Sequence, residues 1–178
     1  WKNTVNKAFA RISEIMKIVE TEQKNLKKCV IYCASKDQSD RITRELRGHK
    51  GLRDTFPYDS RTESDVRIKA RKRFEDTYRG EPRFIVGIHC LDEGIDMPAL
   101  DSGIFANSSK TKREWIQRRG RILRKHKDKE VSIIHDIIIL PDKRAKLTEG
   151  EREYIDDEIE RLSNFAEEAM RKTNHFNS

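Results

Sequence analysis

The sequence has 178 residues, of which 38 are lysine or arginine and 31 are aspartate or glutamate, so that 39% are charged and the formal net charge is +7. The chain has neither an apolar stretch near the roughly 20 residues that cross a bilayer nor a secretory signal pattern, so we expect a cytoplasmic protein rather than a membrane or exported one. Short apolar runs at 29–33, 84–86 and 137–140 exclude a disordered polyelectrolyte and indicate a folded sheet.

The first half of the chain alternates between helix and strand patterns. Apolar residues that recur at three- and four-residue steps from Val5 to Val19 predict an amphipathic helix. Ser35, with Gln38 three residues later, is typical of a helix start, because Ser35 can cap the helix and Gln38 can reach back to Ser35. In chain order, we predict a helix at about 3–24, a strand at 29–33, a helix from 35, a weak strand near 53–58, and a helix from 62 that carries Tyr78 on its apolar side.

The second half continues the alternation. In chain order, we predict a strand at 83–88, an ordered loop marked by Gly94 and Pro98, a strand at 102–106, a helix from 111 to about 123, a strand at 131–140 and a helix from 148. Strands that alternate with helices require crossover connections. The predicted fold class is therefore α/β, a three-layer domain in which helices flank a mainly parallel sheet.

The chain divides into three predicted segments. We expect an N-terminal helix packed on the domain at 1–25, the α/β domain at 26–141 and a C-terminal helical extension at 148–173. The first residue is Trp1 rather than methionine, which suggests a piece of a longer chain. Three cysteines, at positions 29, 33 and 90, are an odd number without a Cys-x-x-Cys pair, so we interpret them as reduced structural thiols.

Positive charge is concentrated in one short segment. Residues 110–129 contain ten basic and two acidic residues. Within the segment, Gln117, Arg121 and Arg124 stand at i, i+4 and i+7, so a helix that reaches Arg124 presents them on one face, with Gly120 leaving room for a close approach. Guanidinium groups bind phosphate oxygens through paired hydrogen bonds. The alternative interpretation is a solvated basic helix face without a ligand.

The opposite side of the same predicted helix is apolar. We expect it to be buried through the residues Trp115, Ile116, Ile122 and Leu123. Arg119 falls within this apolar sector, and we expect its side chain to extend outward along it.

Three segments together resemble one protein family. Gln117-Arg-Arg-Gly-Arg-Ile-Leu-Arg124 resembles the Q-x-x-G-R-x-x-R motif VI of superfamily 2 helicases and translocases. Residues 84–98 resemble motif V in the Leu-x-Glu-Gly-Ile-Asp-x-Pro form of the restriction-enzyme-like members, the type I/III Res subunits. Residues 29–35 resemble the strand that opens the second RecA-like domain. The resemblance covers about residues 26–140 and implies the C-terminal RecA-like domain of such an enzyme.

The resemblance also implies a nucleotide site. Arg121 and Arg124 would be the catalytic arginine fingers, which reach the β- and γ-phosphates of an ATP, and Gln117 would help to orient the site. In the family, the residues beside the nucleotide lie in motif V. The corresponding candidates in this sequence are Glu93, Gly94 and Asp96.

The implied partner is a nucleic acid, with DNA favoured over RNA. The residues that would contact its phosphates, without selecting a base sequence, are Ser35, Lys36, Ser60, Arg61 and His89. Many family members carry Thr-Asp where this chain has Ile88-His89. His89 therefore either replaces the threonine contact or is a structural residue, and both interpretations stay open.

Half of an ATPase site is missing from the sequence. The chain has no G-x-x-x-x-G-K-[ST] loop and no acidic pair directly after a strand that could hold magnesium, and we predict no metal site of its own. The resemblance implies that ATP with Mg²⁺ is held mainly by an N-terminal RecA-like domain of the same parent chain. We therefore expect the chain to be inactive alone and to complete an ATP-dependent motor in the full-length protein.

Two other functions compete with this hypothesis. The first is a nucleic-acid-binding module that keeps a RecA-like fold without catalysis. A Walker loop and a DExx box in the parent sequence upstream of this chain would argue against this function. The second is a stand-alone hydrolase, which the sequence does not support, because no Ser-His-Asp, metal-ligand or paired-carboxylate arrangement stands out.

Overall fold

A computed structural model describes residues 2–48, 52–59, 62–88, 97, 99–107, 112–127, 129–140 and 147–174. The chain forms two compact units, residues 1–137 and 138–178. In chain order the elements are α1 (Lys2–Glu22), β1 (Lys28–Tyr32), α2 (Lys36–Gly48), β2 (Thr55–Pro57), α3 (Ser64–Glu75), β3 (Arg83–Gly87), β4 (Ser102–Phe105), α4 (Lys112–Ile122), β5 (Ile133–Asp136) and α5 (Glu149–Asn174). Within the described part of the chain, no helix combines the length and the apolar character needed to cross a membrane.

The five strands form one sheet in the order β2-β3-β1-β4-β5, and every pair of neighbours is parallel. The central strand β1 pairs with β3 on one side, where Cys29 lies opposite Phe84, and with β4 on the other, where Cys29 lies opposite Ser102. The predicted α/β fold with a parallel sheet is confirmed. Because all strands are parallel, their carboxyl ends share one edge of the sheet, where ligands of open α/β sheets bind.

Helices cover both faces of the sheet. Side chains of a strand alternate between faces, so Cys29 and Ile31 of β1 point to one face and Val30 and Tyr32 to the other. The first face packs against α1 and α2, in a core cluster that includes Ile12, Ile15, Val19, Ile42 and Leu46. The second face meets α4, whose Ile122 lies against Gly103 of β4 and close to Val30.

Cys29 and Cys33 are free thiols in the core. Both are buried, and Cys29 is inaccessible to solvent. Burial raises the pKa of the Cys29 thiol well above its ordinary value, which keeps it protonated and unreactive. These two residues therefore act as small core side chains, as the sequence predicts.

Several elements are shorter than predicted. The last strand is Ile133–Asp136 rather than 131–140, because its one neighbour β4 offers only four residues for pairing. The third helix ends at Glu75, before Tyr78. Its start also differs, since the Thr62 hydroxyl accepts a hydrogen bond from the Asp59 amide at 2.9 Å and does not cap the helix.

The end of α3 is held by a buried arginine. Arg83, at the start of β3, is 1% exposed. Its guanidinium donates hydrogen bonds to the carbonyl oxygens of Arg73 at 2.8 Å, Asp76 at 2.7 Å and Thr77 at 2.8 Å. The last carbonyls of a helix have no partners within the helix, so this side chain supplies donors to carbonyls at and just after the end of α3.

Gly103 leaves the space that Ile122 fills. A Cβ atom at position 103 would overlap Ile122 Cδ1 and approach Ile122 Cγ1 at 3.3 Å. We expect Gly103→Ala to lower the free energy of unfolding by about 1–3 kcal/mol, the range for overpacking a core. Ile122→Val removes Cδ1 and alone costs about 1 kcal/mol. In urea titrations the double variant should be more stable than the sum of the single effects predicts, and strict additivity would contradict this contact.

Candidate functional site

The segment that resembles motif VI lies in α4 and the turn after it. The helix follows β4, and its last residue, Ile122, is fully buried against Gly103. The Ser132 hydroxyl, just before β5, donates a hydrogen bond to the Ile122 carbonyl at 3.0 Å. The end of α4 therefore lies near the edge of the sheet at which β4 and β5 begin.

The buried side of α4 contains two arginines. Trp115, Arg118, Arg119 and Ile122 are at most 7% exposed, and they recur at the i, i+3, i+4 and i+7 steps of one helix face. By contrast, Ile116 is 41% exposed and Leu123 is 36% exposed, so the prediction that both are buried is wrong. The sequence pattern predicts that the buried face consists of apolar residues, whereas two of the four buried residues in the structure are arginines.

Arg118 joins α4 to the carboxyl ends of two strands. Its guanidinium donates to the Ile88 carbonyl at 3.1 Å, just after β3, and lies 4.8 Å from the ring centroid of Tyr32, the last residue of β1. It also forms an ion pair with Glu114, one turn earlier in the helix. Tyr32 in turn stacks on Phe105, the last residue of β4, with ring centroids 5.1 Å apart. Sequence reasoning missed this residue, although the i, i+4 spacing of Glu114 and Arg118 was a visible signal.

Arg119 remains on the buried side of the helix. Its guanidinium lies 4.6 Å from the ring centroid of Trp115, and the residue is 7% exposed. The expectation that this side chain extends outward is therefore wrong. An arginine stacked on an aromatic face gains a cation–π attraction, which offsets part of its lost hydration.

The three residues predicted to share one face do not all lie on the helix. Gln117 and Arg121 are one turn apart in α4, where Gln117 is exposed and Arg121 is half-buried. Arg124 is exposed but lies beyond the end of the helix at Ile122. A Cβ at Gly120 would meet nothing within 4 Å, so the surface over this residue is open. The structure therefore places Arg121 at the helix end and Arg124 in the following turn.

A second group of candidates follows the central strand. Ser35 and Lys36 come after β1, and both are exposed. The Ser35 hydroxyl accepts a hydrogen bond from the Gln38 amide at 3.3 Å, and Gln38 Oε1 accepts one from the Ala34 amide at 2.7 Å. Ser35 thus caps α2 as predicted, whereas Gln38 reaches back to the Ala34 amide rather than to Ser35. Lys36 stands at this helix N-terminus, a position that favours anions.

The two groups lie toward different edges of the sheet. Ser35 and Lys36 follow the carboxyl end of β1, whereas Arg121 adjoins Ile122, which packs beside the start of β4. Six other candidates lie outside the described residues. They are Ser60, Arg61, His89, Glu93, Gly94 and Asp96.

Comparison with protein families gives one match over most of the chain. The family described as helicase conserved C-terminal domain matches residues 9–126. This range contains β1 to β4 and α4, and so both groups of candidate residues that the structure describes.

A curated relative and two solved structures agree with this match. The DNA 3'-5' translocase XPB2 of Sulfurisphaera tokodaii is 35% identical over 136 residues, which are 75% of this chain and 28% of that protein. The DUF1998 helicase MrfA bound to DNA and AMPPNP has a TM-score of 0.63 at 17% identity, covering 86% of this chain and 20% of the helicase. Domain 2 of the DEAD-box helicase Mss116p bound to an RNA duplex has a TM-score of 0.53 at 20% identity, covering 74% of this chain and 50% of that chain. The predicted RecA-like fold is confirmed.

Proposed function

Because the chain belongs to the family of helicase conserved C-terminal domains, we propose that it is the second motor domain of an ATP-dependent superfamily 2 helicase or translocase. The observation that carries the proposal is the arrangement of α4, whose buried arginines anchor it to the sheet while Gln117 and Arg121 stand beside the open surface at Gly120. We further propose that the full-length protein acts on DNA in preference to RNA, because the relative at 35% identity is named as a DNA translocase.

In this proposal Arg121 and Arg124 are the arginine fingers. Guanidinium groups bind phosphate oxygens through paired hydrogen bonds, and neither residue is buried, so both suit phosphate oxygens brought to this surface. ATP with Mg²⁺, held mainly by an N-terminal RecA-like domain, supplies the phosphoryl group whose hydrolysis drives the motor. Arginine fingers of other nucleotide hydrolases accelerate that reaction by about 10³ to 10⁵. Gln117 orients the site, and Glu93, Gly94 and Asp96 complete its nucleotide side.

Nucleic-acid contacts come from the carboxyl edge of the sheet. Lys36 and the exposed N-terminus of α2 attract backbone phosphates, and Ser35 extends the same surface. Ser60, Arg61 and His89 belong to this surface in the proposal. Contacts of this kind position a strand without selecting its sequence. With phosphate contacts at one edge and arginine fingers toward the other, closure onto the N-terminal domain would couple ATP hydrolysis to movement along the strand.

The proposal is tested by ATP hydrolysis in the full-length parent protein. We expect turnover that rises on addition of single- or double-stranded DNA and rises less with RNA of the same length and sequence. The 178-residue chain alone, assayed in parallel, should hydrolyse no ATP above the blank, because it contains no Walker A loop. If the full-length protein binds DNA but hydrolyses no ATP with or without it, the non-catalytic binding module is the correct function.

A further inference from the structure

The carbonyl oxygen that ends α4 is held by side chains from further along the chain. The last backbone bond of the helix runs from the Leu123 amide to the Arg119 carbonyl at 3.0 Å. The Ile122 carbonyl accepts hydrogen bonds from Lys129 Nζ at 2.7 Å and from Ser132 Oγ at 3.0 Å. A cation at a helix C-terminus stabilises it through the helix dipole and satisfies a carbonyl that has no partner within the helix.

The same ammonium group binds a second segment. Lys129 Nζ donates to the Leu100 carbonyl at 2.9 Å, two residues before β4 begins. The Lys129 amide donates to the His126 carbonyl at 3.1 Å, which fixes the turn that presents the side chain. Lys129 therefore ties the end of α4 to the segment that enters β4. That segment follows the part of the chain that resembles motif V.

The position of this contact matters because it lies between the two proposed arginine fingers. Arg121 directly precedes Ile122, and Arg124 follows it by two residues. If α4 continued for another turn, Arg124 would rise about 4.5 Å along the helix from Arg121 and point about 60° away from it. The bonds to the Ile122 carbonyl end the helix first, so the path of the turn sets where Arg124 stands.

We propose that Lys129 is a positioning residue for ATP hydrolysis, because it holds the end of α4 and thereby fixes the spacing of Arg121 and Arg124. The inference rests on the proposed motor function. Lys129 itself touches neither nucleotide nor nucleic acid in this proposal. Its half-buried ammonium, which donates to two carbonyls, acts only through the backbone that carries the arginines.

The decisive variants are made in the full-length protein. Lys129→Met keeps much of the side-chain length but donates no hydrogen bond, whereas Lys129→Arg keeps a cation that can reach both carbonyls. Lys127→Met is the matched control, because Lys127 is an exposed lysine two residues earlier. We expect Lys129→Met to lower the kcat of ATP hydrolysis about 10- to 100-fold, the effect of misplacing a catalytic group by about 1 Å. ATP affinity should stay close to wild-type, Lys129→Arg should recover most of the rate, and Lys127→Met should match wild-type.

Hydrogen exchange separates this role from a general loss of stability. In Lys129→Met, peptides that cover 119–127 should exchange faster, while peptides that cover the central strand β1 should be unchanged. Unchanged exchange at 119–127 would overturn the proposed contact, whatever the kinetics. A variant that loses stability, ATP affinity and rate together, without recovery by arginine, would show that Lys129 is merely structural.

The kinetics also separate failure of this inference from failure of the motor function. If Lys129→Met keeps wild-type kcat while Arg121→Ala loses turnover, the role of Lys129 is overturned and the motor function stands. If Arg121→Ala and Arg124→Ala also both keep wild-type turnover, the arginine-finger assignment is wrong, and the inference that rests on it fails with it.

Discussion

Replacing Arg121 or Arg124 with alanine in the full-length protein is expected to lower the kcat of ATP hydrolysis by about 10³-fold or more. The guanidinium groups are proposed to act on charge that develops on the transferring phosphoryl group, so they stabilise the transition state more than the bound nucleotide. The Kd for ATP should therefore stay close to wild-type. Single-turnover hydrolysis and binding of a fluorescent ATP analogue measure the two quantities separately.

Two further variants sharpen this test. Arg121→Lys keeps the charge but loses the planar fork that binds two oxygens at once, so it should recover only a small part of the rate. Arg113→Ala removes an exposed arginine from the first turn of the same helix and should leave the rate at wild-type. Wild-type turnover in both Arg121→Ala and Arg124→Ala would show that these residues are not arginine fingers.

The largest expected effect on stability comes from Arg83. Arg83→Met removes hydrogen bonds to three carbonyls at and just after the end of α3 and leaves them without these partners. A hydrogen bond to a charged group typically contributes about 1.5–3 kcal/mol, and water can replace part of what is lost, so we expect the three together to lower the free energy of unfolding by about 3–5 kcal/mol. Urea titration followed by circular dichroism measures it.

Matched variants distinguish the hydrogen bonds from the charge. Arg83→Lys keeps a cation, but one ammonium cannot reach the carbonyls of Arg73, Asp76 and Thr77 in the same fork geometry, so an intermediate loss is expected. Arg79→Met changes an exposed arginine close by in the sequence and should cost less than about 0.5 kcal/mol. An Arg83→Met protein as stable as Arg79→Met would contradict the account of α3.

The sequence predicts the fold well because its signals are local. Most helices and strands are indicated by the periodicity of their own apolar residues, and the alternation of strands with helices requires a mainly parallel sheet. The three motifs likewise identify the family from short segments, and the match to residues 9–126 confirms the family. The ends of elements are less predictable, because they depend on distant contacts. The strand β5 ends where β4 has no further residues to pair with it. The helix α4 ends where Lys129 and Ser132 bind its last carbonyl.

The arrangement of the site depends on contacts that no local pattern contains. Arg118 and Arg119 are buried because aromatic rings are available to them, and one of these rings belongs to Tyr32, far away in the sequence. The general tendency of arginine to be exposed, applied to each residue separately, does not predict that these two are buried. The same holds for Arg124, whose place in a turn follows from bonds made by later residues. The roles of all proposed site residues, including His89 and Asp96, stay predictions.

The central position of β1 has a consequence for how the protein is made. Its first pairing partner, β3, lies 55 positions later in the sequence, since Cys29 pairs with Phe84. A ribosome that adds about 5–20 residues per second needs about 3–11 s to cover that distance. During this interval the nascent chain carries an apolar strand with no neighbour to hydrogen-bond. Residues 29–33 are therefore an apolar segment of the nascent chain that a chaperone would protect from pairing with other chains.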